Sequence, residues 1–399
     1  MAPFPHLFSP LTVRGYTLRN RIETAPTYNS TKIFDLPGID ENVFRMLERR
    51  AAGGAAMVLL GESAVNNEDA RFLFPFSFRY DEFDNKYFYG FKEYADRIHR
   101  HGALALAELC HEGIYADANP AFGPSASVEA EGKTVVSMTE EMMEKVCRDF
   151  ALAAAYMIRA GFDGVMVHGG HGFLIQQFAS PLFNHRTDEY GGTPENRARF
   201  PRRVFRAIRA AIGDDKILEL RMSAEDGLPG GMQFERDTLP FLCALDGEVD
   251  IIQVSNGHKL LGNRTYTFTD MFDRHGHNVP YAQKLKAALS RTMVSVIGGI
   301  NSPELGEEII AQGWADLIAM GRQCFADPDF PRKAREGKAD LIRRCVRCFG
   351  CYPGFKEEPT DTDERWDPRE TGHCSINPDS GFFFYPEWSG RPKGSRKVL

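Results

Sequence analysis

The chain has 399 residues, of which 43% are hydrophobic and 26% are charged, and its formal net charge is −7. This length fits one large barrel-like domain plus an appendage, and the negative charge argues against a nucleic-acid surface, which needs a basic stripe. The opening stretch MAPFPHLFSPLTVRG lacks the charged and apolar regions of a secretory signal. No apolar run reaches the roughly 18 residues of a membrane span, so we expect a cytoplasmic protein without membrane partners.

Short apolar runs alternate with longer amphipathic stretches along the whole chain. In chain order, the predicted strands cover residues 21–26, 56–62, 103–109, 164–168, 217–222, 250–255, 293–298 and 316–320. The predicted helices cover residues 41–53, 88–101, 139–161, 194–212, 235–245, 280–290, 302–313 and 328–337. Eight such units, with continuously apolar strands, predict an α/β fold of the (β/α)8 TIM-barrel type. A doubly wound open sheet is the alternative, disfavoured because no GxGxxG follows the first strand.

Two helix starts carry capping signals. Ser302 is predicted to cap the helix over 302–313, with Pro303 at the first helical position. Ser137 and Glu140 have the spacing of a capping box before the helix over 139–161.

The amino-acid composition of the sequence changes near residue 339. Residues 352–399 are rich in Pro, Gly, Asp and Glu and have no clear periodicity. We therefore predict two domains, a barrel over 1–338 and an extension over 339–399 that is held by whatever its cysteines bind.

The extension contains four clustered cysteines. Cys345, Cys348 and Cys351 follow a C-x2-C-x2-C pattern, and Cys374 is a distant fourth. Cytosolic chains rarely keep disulfides, so the cluster predicts metal or redox chemistry. Three thiolates within seven residues, closed by a fourth, suit a [4Fe–4S] cluster. Structural zinc, which more often uses two separated C-x2-C pairs, is the alternative.

The strand ends carry polar residues and glycines, and in a barrel the active site lies at these ends. They are Pro26, Thr27, Gly61, Glu108, His168, Arg221, Gly298, Gly299, Gly321 and Arg322. Glycines expose backbone N–H groups, and Arg322 adds a planar, charged guanidinium group. Together they favour a phosphate site over the alternative, ordinary turns with a surface arginine. Arg221 ends a buried strand and needs an anionic partner, either a nearby carboxylate or an anionic cofactor ring.

The stretch HGGHGFLIQQFASPLFNHRTDEYGG, followed by ENRARF, resembles the signature of the old yellow enzyme family. AELCHEG, ADLIAMGRQCFADPDFP and the cysteines followed by SINP make the chain similar to its iron–sulfur branch, typified by 2,4-dienoyl-CoA reductase, 2-enoate reductase and trimethylamine dehydrogenase. The resemblance covers nearly all of residues 5–380 and implies an FMN barrel that takes electrons from NAD(P)H. Longer members continue into a pyridine-nucleotide- and FAD-binding region, and this chain looks cut at that junction or lacks the region. The implied partners are a reductase domain in cis or in trans and a small unsaturated carbonyl substrate, and a homo-oligomer is compatible with the sequence.

The resemblance also implies roles for individual residues. The positions that match flavin contacts are Pro26, Thr27, Gly61, Glu108, Arg221, Gly298, Gly299, Gly321 and Arg322. His168 and His171 match the pair that holds the substrate's carbonyl oxygen. Negative charge builds on that oxygen as hydride reaches the β-carbon, and two aimed N–H donors stabilise the transition state more than the ground state.

Three positions depart from the family pattern. Phe173 stands where the family usually has the Tyr that protonates the α-carbon; Tyr115 is the predicted replacement, with Tyr28, or simple packing of Tyr115 on the barrel rim, as alternatives. Glu108 stands where the family usually has Gln, and an ionised Glu108 would disfavour anionic reduced flavin and lower its potential. Tyr28 occupies the position of the flavin-attaching Cys of amine-oxidising relatives, so we expect noncovalent FMN.

The leading hypothesis is an FMN- and [4Fe–4S]-dependent ene-reductase that reduces the C=C bond of an α,β-unsaturated acid, thioester or ketone. The alternatives are an amine dehydrogenase of the trimethylamine dehydrogenase type, whose cysteine spacing is a better match, and a non-catalytic electron-transfer protein. The predicted lid loops, around 63–88, 113–135 and 256–279, favour a bulky or planar substrate unless their aromatic residues only pack as core. Those residues include Phe72, Phe74, Phe76, Tyr266, Phe268 and Phe272.

Overall fold

The computed structural model describes residues 3–27, 41–66, 68–70, 86–126, 133–258, 267–351 and 374–381. Eight parallel strands close into a barrel, so the TIM-barrel prediction is confirmed. The strands are β1 (Ile22–Thr24), β2 (Met57–Ala64), β3 (Leu104–Cys110), β4 (Gly164–His168), β5 (Ile217–Ser223), β6 (Ile251–Ser255), β7 (Met293–Val296) and β8 (Leu317–Met320). Each strand pairs with the next along the chain, and β8 pairs with β1.

Eight helices occupy the predicted helical segments around the barrel. They are α1 (Glu41–Ala52), α2 (Lys86–His99), α3 (Glu140–Arg159), α4 (Arg199–Ile212), α5 (Leu239–Cys243), α6 (Val279–Ala288), α7 (Pro303–Ala311) and α8 (Phe330–Arg335). The predicted helix over 194–212 is divided, because a short helix Pro194–Arg197 precedes α4. Pro201 has no N–H to donate to the carbonyl of Arg197, which accounts for the break.

One of the two capping predictions is confirmed and the other is wrong. Ser302 accepts a hydrogen bond from the Leu305 N–H at 3.2 Å, as predicted. Helix α3 is instead capped by Thr139, whose hydroxyl accepts from the Met142 N–H at 3.3 Å. Ser137 cannot cap α3 because it ends a short strand, Val135–Ser137, where its hydroxyl accepts from the Ala126 N–H.

A hairpin that the sequence pattern did not predict closes the amino-terminal end of the barrel. Its strands, Leu11–Val13 and Tyr16–Leu18, have three residues each. Its side chains pack in one buried cluster with the lowest apolar layer of the barrel interior, which includes Met57, Leu106 and Met166. The carboxyl end of the strands is therefore the end at which a site can lie.

A polar layer lies above that apolar layer inside the barrel. Glu23 accepts hydrogen bonds from Gln253 at 2.9 Å and from Ser295. Burial raises the pKa of both Glu23 and Glu219, and the two carboxyls face each other, so the pair holds a proton at neutral pH.

Among the described residues, no helix is both long and apolar enough to cross a bilayer. The extension is described over 339–351 and 374–381, which include single 3-10 turns at Ala339–Leu341 and Pro378–Gly381. The predicted domain boundary after residue 338 remains a prediction. Tyr28, Phe72, Phe74, Phe76 and Tyr266 lie outside the described residues.

Candidate active site

Three of the predicted residues meet at the carboxyl end of the barrel. His168 ends β4 and is in register with Arg221 of β5. Glu108 of β3 places its Oε1 3.9 Å from Arg221 Nη1. All three side chains are at most 5% exposed. Strand alternation points them into the barrel, so the sheet itself assembles a buried set of two donors and a carboxyl group.

Glu108 is held largely protonated at neutral pH. Burial raises its pKa from an ordinary 4.5 to about 8, with Arg221 opposing and Glu62 reinforcing the shift. At 3.9 Å the contact with Arg221 is too long to keep the carboxyl ionised against the cost of burial. A protonated carboxyl group can donate as well as accept, as Gln does. The expected lowering of the flavin potential by ionised Glu108 therefore applies above about pH 8.

We expect Glu108→Gln to reduce the loss of stability at rising pH. Between pH 4.5 and about 8 the folded state holds a proton that the unfolded chain has released, so the free energy of unfolding falls as pH rises. Because Glu108→Gln lacks this titrating group, its free energy of unfolding should gain about 1.4 kcal/mol over that of the native chain for each pH unit that the pH rises in that window. Urea unfolding of cofactor-free protein at pH 5 and pH 8 measures the difference. Parallel profiles for the two proteins would refute the raised pKa.

Gly61 sits where no larger residue fits. A Cβ added there would lie 2.2 Å from Pro26 Cβ and 2.6 Å from Glu108 Oε2. Such distances lie inside van der Waals contact, so the close approach of β1, β2 and β3 requires glycine. Gly61 thus lies directly between Pro26 and Glu108 at the barrel mouth.

A cleft of about 720 Å³ opens beside this group and holds the remaining predicted cofactor positions. Those in its lining are Thr27, Arg221, Gly298, Gly299, Gly321 and Arg322. Pro26, Gly61 and Glu108 are not part of the lining, but Pro26 directly precedes Thr27 and Glu108 lies 3.9 Å from Arg221, both of which are. The cleft also reaches Cys345 and Arg347 of the cysteine segment, which the sequence analysis did not connect to the cofactor positions.

The end of the cleft formed by β7 and β8 has the features of a phosphate cradle. Gly298 and Gly299 have positive φ angles of 137° and 68°, which favour glycine and leave their backbone open to a ligand. Arg322 donates to the Thr269 carbonyl at 2.5 Å, and its other terminal nitrogen, Nη1, is buried without an acceptor among the described residues. A buried guanidinium nitrogen that lacks an acceptor favours a bound anion at this position.

His168 and His171 form a buried pair of neutral imidazoles. Their ring centroids are 4.9 Å apart and nearly perpendicular. Burial lowers the pKa of both rings well below 6.5, and the charge of Arg221 adds to the effect. The Gly170 N–H donates to His168 Nδ1 at 3.3 Å, so the neutral ring carries its hydrogen on Nε2.

His171 is positioned by contacts that the sequence did not reveal. Its φ angle is 54°, and its backbone N–H donates to Ser223 Oγ at 3.0 Å. Its Nε2 lies 2.9 Å from the hydroxyl of Ser255. When that hydroxyl donates to Nε2, the hydrogen of the neutral ring is on Nδ1. The pair can then offer one N–H from each ring.

Phe173 stacks on His168, with ring centroids 4.0 Å apart and an interplanar angle of 24°. It is 4% exposed and stands directly before the short helix Leu174–Ala179. The ring therefore fixes the plane of His168. The sequence showed only that Phe173 cannot donate a proton and did not predict this packing role.

Tyr115 lies in a buried aromatic group beside the histidine pair. It is part of the 3-10 turn Gly113–Tyr115 and meets the His258 ring edge-on at 5.7 Å. His258 stacks on Phe183 at 5.1 Å, and a backbone bridge joins His258 to His171. His258 was not among the predicted site residues, although it follows the end of β6 by three residues in NGH. The catalytic role expected for Tyr115 remains a proposal.

The four clustered cysteines line one cavity of about 270 Å³. Each is a free thiol, and the Arg347 N–H donates to Cys345 Sγ at 3.4 Å. Cys348 Sγ lies 3.1 Å from Ser375 Oγ. Four thiols that converge on one cavity from two segments fit a tetrathiolate metal centre. Cys345 lines both this cavity and the larger cleft.

The barrel with this cleft at its carboxyl end defines a cofactor-binding enzyme, and comparison with known proteins gives its family. The chain belongs to the NADH:flavin oxidoreductase / NADH oxidase family, whose model matches residues 6–340. This membership confirms the resemblance to the old yellow enzyme family and the expected class, a flavin-dependent oxidoreductase.

Individual relatives agree with the family assignment. The chain is 32% identical over 362 residues to an NADH oxidase of Thermoanaerobacter brockii, covering 89% of this chain and 54% of that protein. It is 28% identical over 402 residues to a cinnamate reductase of Clostridium sporogenes, covering 94% and 58%. A 2-naphthoyl-CoA reductase complex has the same fold, with a TM-score of 0.81 and 24% identity, over 97% of this chain and 59% of that one. The chain thus spans little more than half the length of these proteins.

Proposed function

We propose that the protein is an FMN- and [4Fe–4S]-dependent ene-reductase that reduces the C=C bond of an α,β-unsaturated carbonyl compound. The observation that carries the proposal is the buried pair of neutral imidazoles, His168 and His171, beside Arg221 at the mouth of a flavin-family barrel. Two neutral N–H donors suit a carbonyl oxygen on which negative charge develops.

The residues present fit an FMN. Arg322, whose Nη1 is buried without an acceptor among the described residues, and the glycines that follow β7 would hold the phosphate. Arg221, whose Nε is buried without an acceptor among the described residues, would face the ring with Glu108. When bound, FMN supplies the hydride for the β-carbon of the alkene.

The chain's own residues do the rest of the work at the carbonyl end of the substrate. His168 donates from Nε2, and Phe173 and the Gly170 N–H keep its ring in that orientation before substrate arrives. His171 adds the second donor. Because burial excludes water from both rings, the two N–H dipoles act in a medium of low dielectric constant, where they stabilise developing charge most strongly.

The α-carbon must also gain a proton, and two residues are candidates. Tyr115 is the donor that the sequence favours. Glu62 is the second, because one of its oxygens lies within 4.8 Å of ligand atoms of Glu108 and His168. Glu62 is the only exposed residue of β2, so it can exchange its proton with solvent.

We expect Tyr115→Phe to lower the rate of alkene reduction by about 10²-fold, since removal of a general acid typically costs 10²–10⁴-fold. Glu62→Gln is the matched test of the other candidate and should change the rate less than threefold. The kcat of each variant, with the solvent deuterium isotope effect, measures the proton step. A large loss of kcat in Glu62→Gln and none in Tyr115→Phe would identify Glu62, and not Tyr115, as the proton donor.

The four clustered cysteines would hold an iron–sulfur cluster, which would supply electron transfer between NAD(P)H and the flavin. Cys345 supports this route because it lines both the cluster cavity and the flavin cleft. The electron donor is a reductase domain in cis or in trans. The match covers 54% of the Thermoanaerobacter brockii NADH oxidase, so that relative has room for a further domain.

The substrate class is proposed to be a planar, conjugated acid, thioester or ketone. Support comes from the name of the cinnamate reductase relative and from the Phe268 ring, whose centroid lies 6.0 Å from that of His171. A tilted aromatic wall beside the oxyanion donors suits an extended π-system.

An anaerobic turnover screen tests the function. The FMN- and iron-loaded protein is supplied with a dye reductant and a panel of enoates, enones and enoyl thioesters, and separately with an electron acceptor and small alkylamines. Saturated product from at least one planar alkene is the expected result. Amine oxidation without alkene reduction would favour the dehydrogenase alternative, which the C-x2-C-x2-C spacing motivates. Flavin reduction without either turnover would favour an electron-transfer protein.

A further inference from the structure

Arg347 occupies an unusual place within the cysteine motif. It lies between Cys345 and Cys348, in the left-handed backbone region at φ 57°. A non-glycine residue there is uncommon and costs conformational energy, so the surrounding structure must hold it. Its side chain is 5% exposed, although arginine is almost never buried without a charged or polar partner.

The guanidinium of Arg347 is directed toward the phosphate end of the cleft. A Cβ built on Gly299 would lie 3.3 Å from Arg347 Nη1 and 3.2 Å from Thr269 Oγ1. Arg347 lines the same cleft as Gly298, Gly299 and Arg322. The arginine therefore reaches from the cysteine cavity into the glycine turn of β7.

Asp270 and Asp273 lie near enough to act on the charge of Arg347, but its hydrogen bonds are incomplete. Nη1 donates to the Arg274 carbonyl at a long 3.4 Å, and Nε is buried without an acceptor among the described residues. Arg322 brings a second guanidinium to the same cleft. The two guanidinium groups repel each other, and a dianion between them would relieve both the repulsion and the missing hydrogen bonds.

We propose that Arg347 is a second phosphate-binding residue of the flavin site, through which the cysteine segment closes over the phosphate end of the cofactor. This proposal rests on the proposed FMN function. If Arg347 binds the phosphate, the affinity for FMN depends on the cysteine segment, because the backbone N–H of Arg347 donates to Cys345 Sγ. The phosphate would be held by Arg322 from β8 and by Arg347 from the extension.

Riboflavin, which lacks the phosphate, gives the test. Dissociation constants of FMN and riboflavin are measured by flavin fluorescence quenching on the full, iron-loaded chain after removal of its flavin. Arg347→Gln should weaken FMN binding about ten- to a hundredfold, the value of a lost charge-assisted hydrogen bond, and riboflavin binding less than twofold. Arg344→Gln, in the same segment but exposed and paired with Glu304, should change neither.

Equal effects of Arg347→Gln on FMN and riboflavin would overturn the proposal, because they would show a structural role in the segment alone. Unchanged FMN affinity would overturn it too. If Arg347→Gln does not fold, Arg347→Lys decides: loss of the planar fork should still lower the preference for FMN over riboflavin, and an unchanged preference refutes the role. If the native chain binds neither flavin, the proposed function itself fails.

Discussion

Replacing His168 with alanine is expected to lower kcat for alkene reduction by about 10²–10³-fold, the typical loss when one oxyanion donor is removed. The Nε2 hydrogen of His168 is aimed by the Gly170 N–H and by the Phe173 stack, so the donor is in place before charge develops. FMN affinity should change little, because His168 is outside the lining of the cleft. Steady-state rates with a dye reductant, together with flavin titration, measure both quantities.

His185→Ala is the matched control for this variant. His185 is exposed and follows the same stretch of sequence, so its loss should leave kcat within about twofold. An active His168→Ala enzyme with native kcat would remove the histidine pair from the mechanism. A loss of FMN as large as the loss of rate would indicate that His168 serves the cofactor instead.

Replacing Cys351 with serine is expected to abolish the metal centre, lowering bound iron from about four atoms per chain to less than one. Cys351 is buried and lines the cavity shared by the four thiols. Serine is a far weaker ligand for iron than thiolate. Iron analysis and visible absorption after anaerobic reconstitution measure the loss.

Cys324→Ser is the control, since Cys324 is equally buried but its thiol faces the Met320 carbonyl and not the cavity. It should retain full iron. Zinc in place of iron in the native protein, or full iron in Cys351→Ser, would contradict the proposed cluster. Alkene reduction driven by a dye that reduces the flavin directly should survive in Cys351→Ser.

The sequence predicted the barrel well because each strand is a short apolar run between turn residues. The strand bounds agree to within two residues throughout, from β1 to β8. The hairpin Leu11–Val13 and Tyr16–Leu18 escaped because three residues are too few for a period to appear. Thr139 was missed as a cap because Ser137, two residues earlier, happened to match the spacing of a capping box.

Side-chain contacts between distant segments could not be predicted in the same way. The stack of Phe173 on His168 joins nearby residues, but it depends on the turn that His171 makes at positive φ. The Ser255 contact and the reach of Arg347 into the cleft join residues more than 40 positions apart. The protonated state of Glu108 depends on burial, which only the closed barrel supplies.

A single-turnover experiment shows directly whether the reduced flavin of this protein reduces a planar alkene. FMN-loaded protein is reduced anaerobically with a limiting amount of dithionite and mixed with a planar enoate or enone, and the flavin absorbance near 450 nm and the product are followed together. The flavin is expected to be reoxidised with about one saturated product per flavin, and the rate should be about 10²–10³-fold lower in His168→Ala. Flavin that stays reduced in the presence of every planar alkene, but is reduced from the oxidised state by an alkylamine, would contradict it.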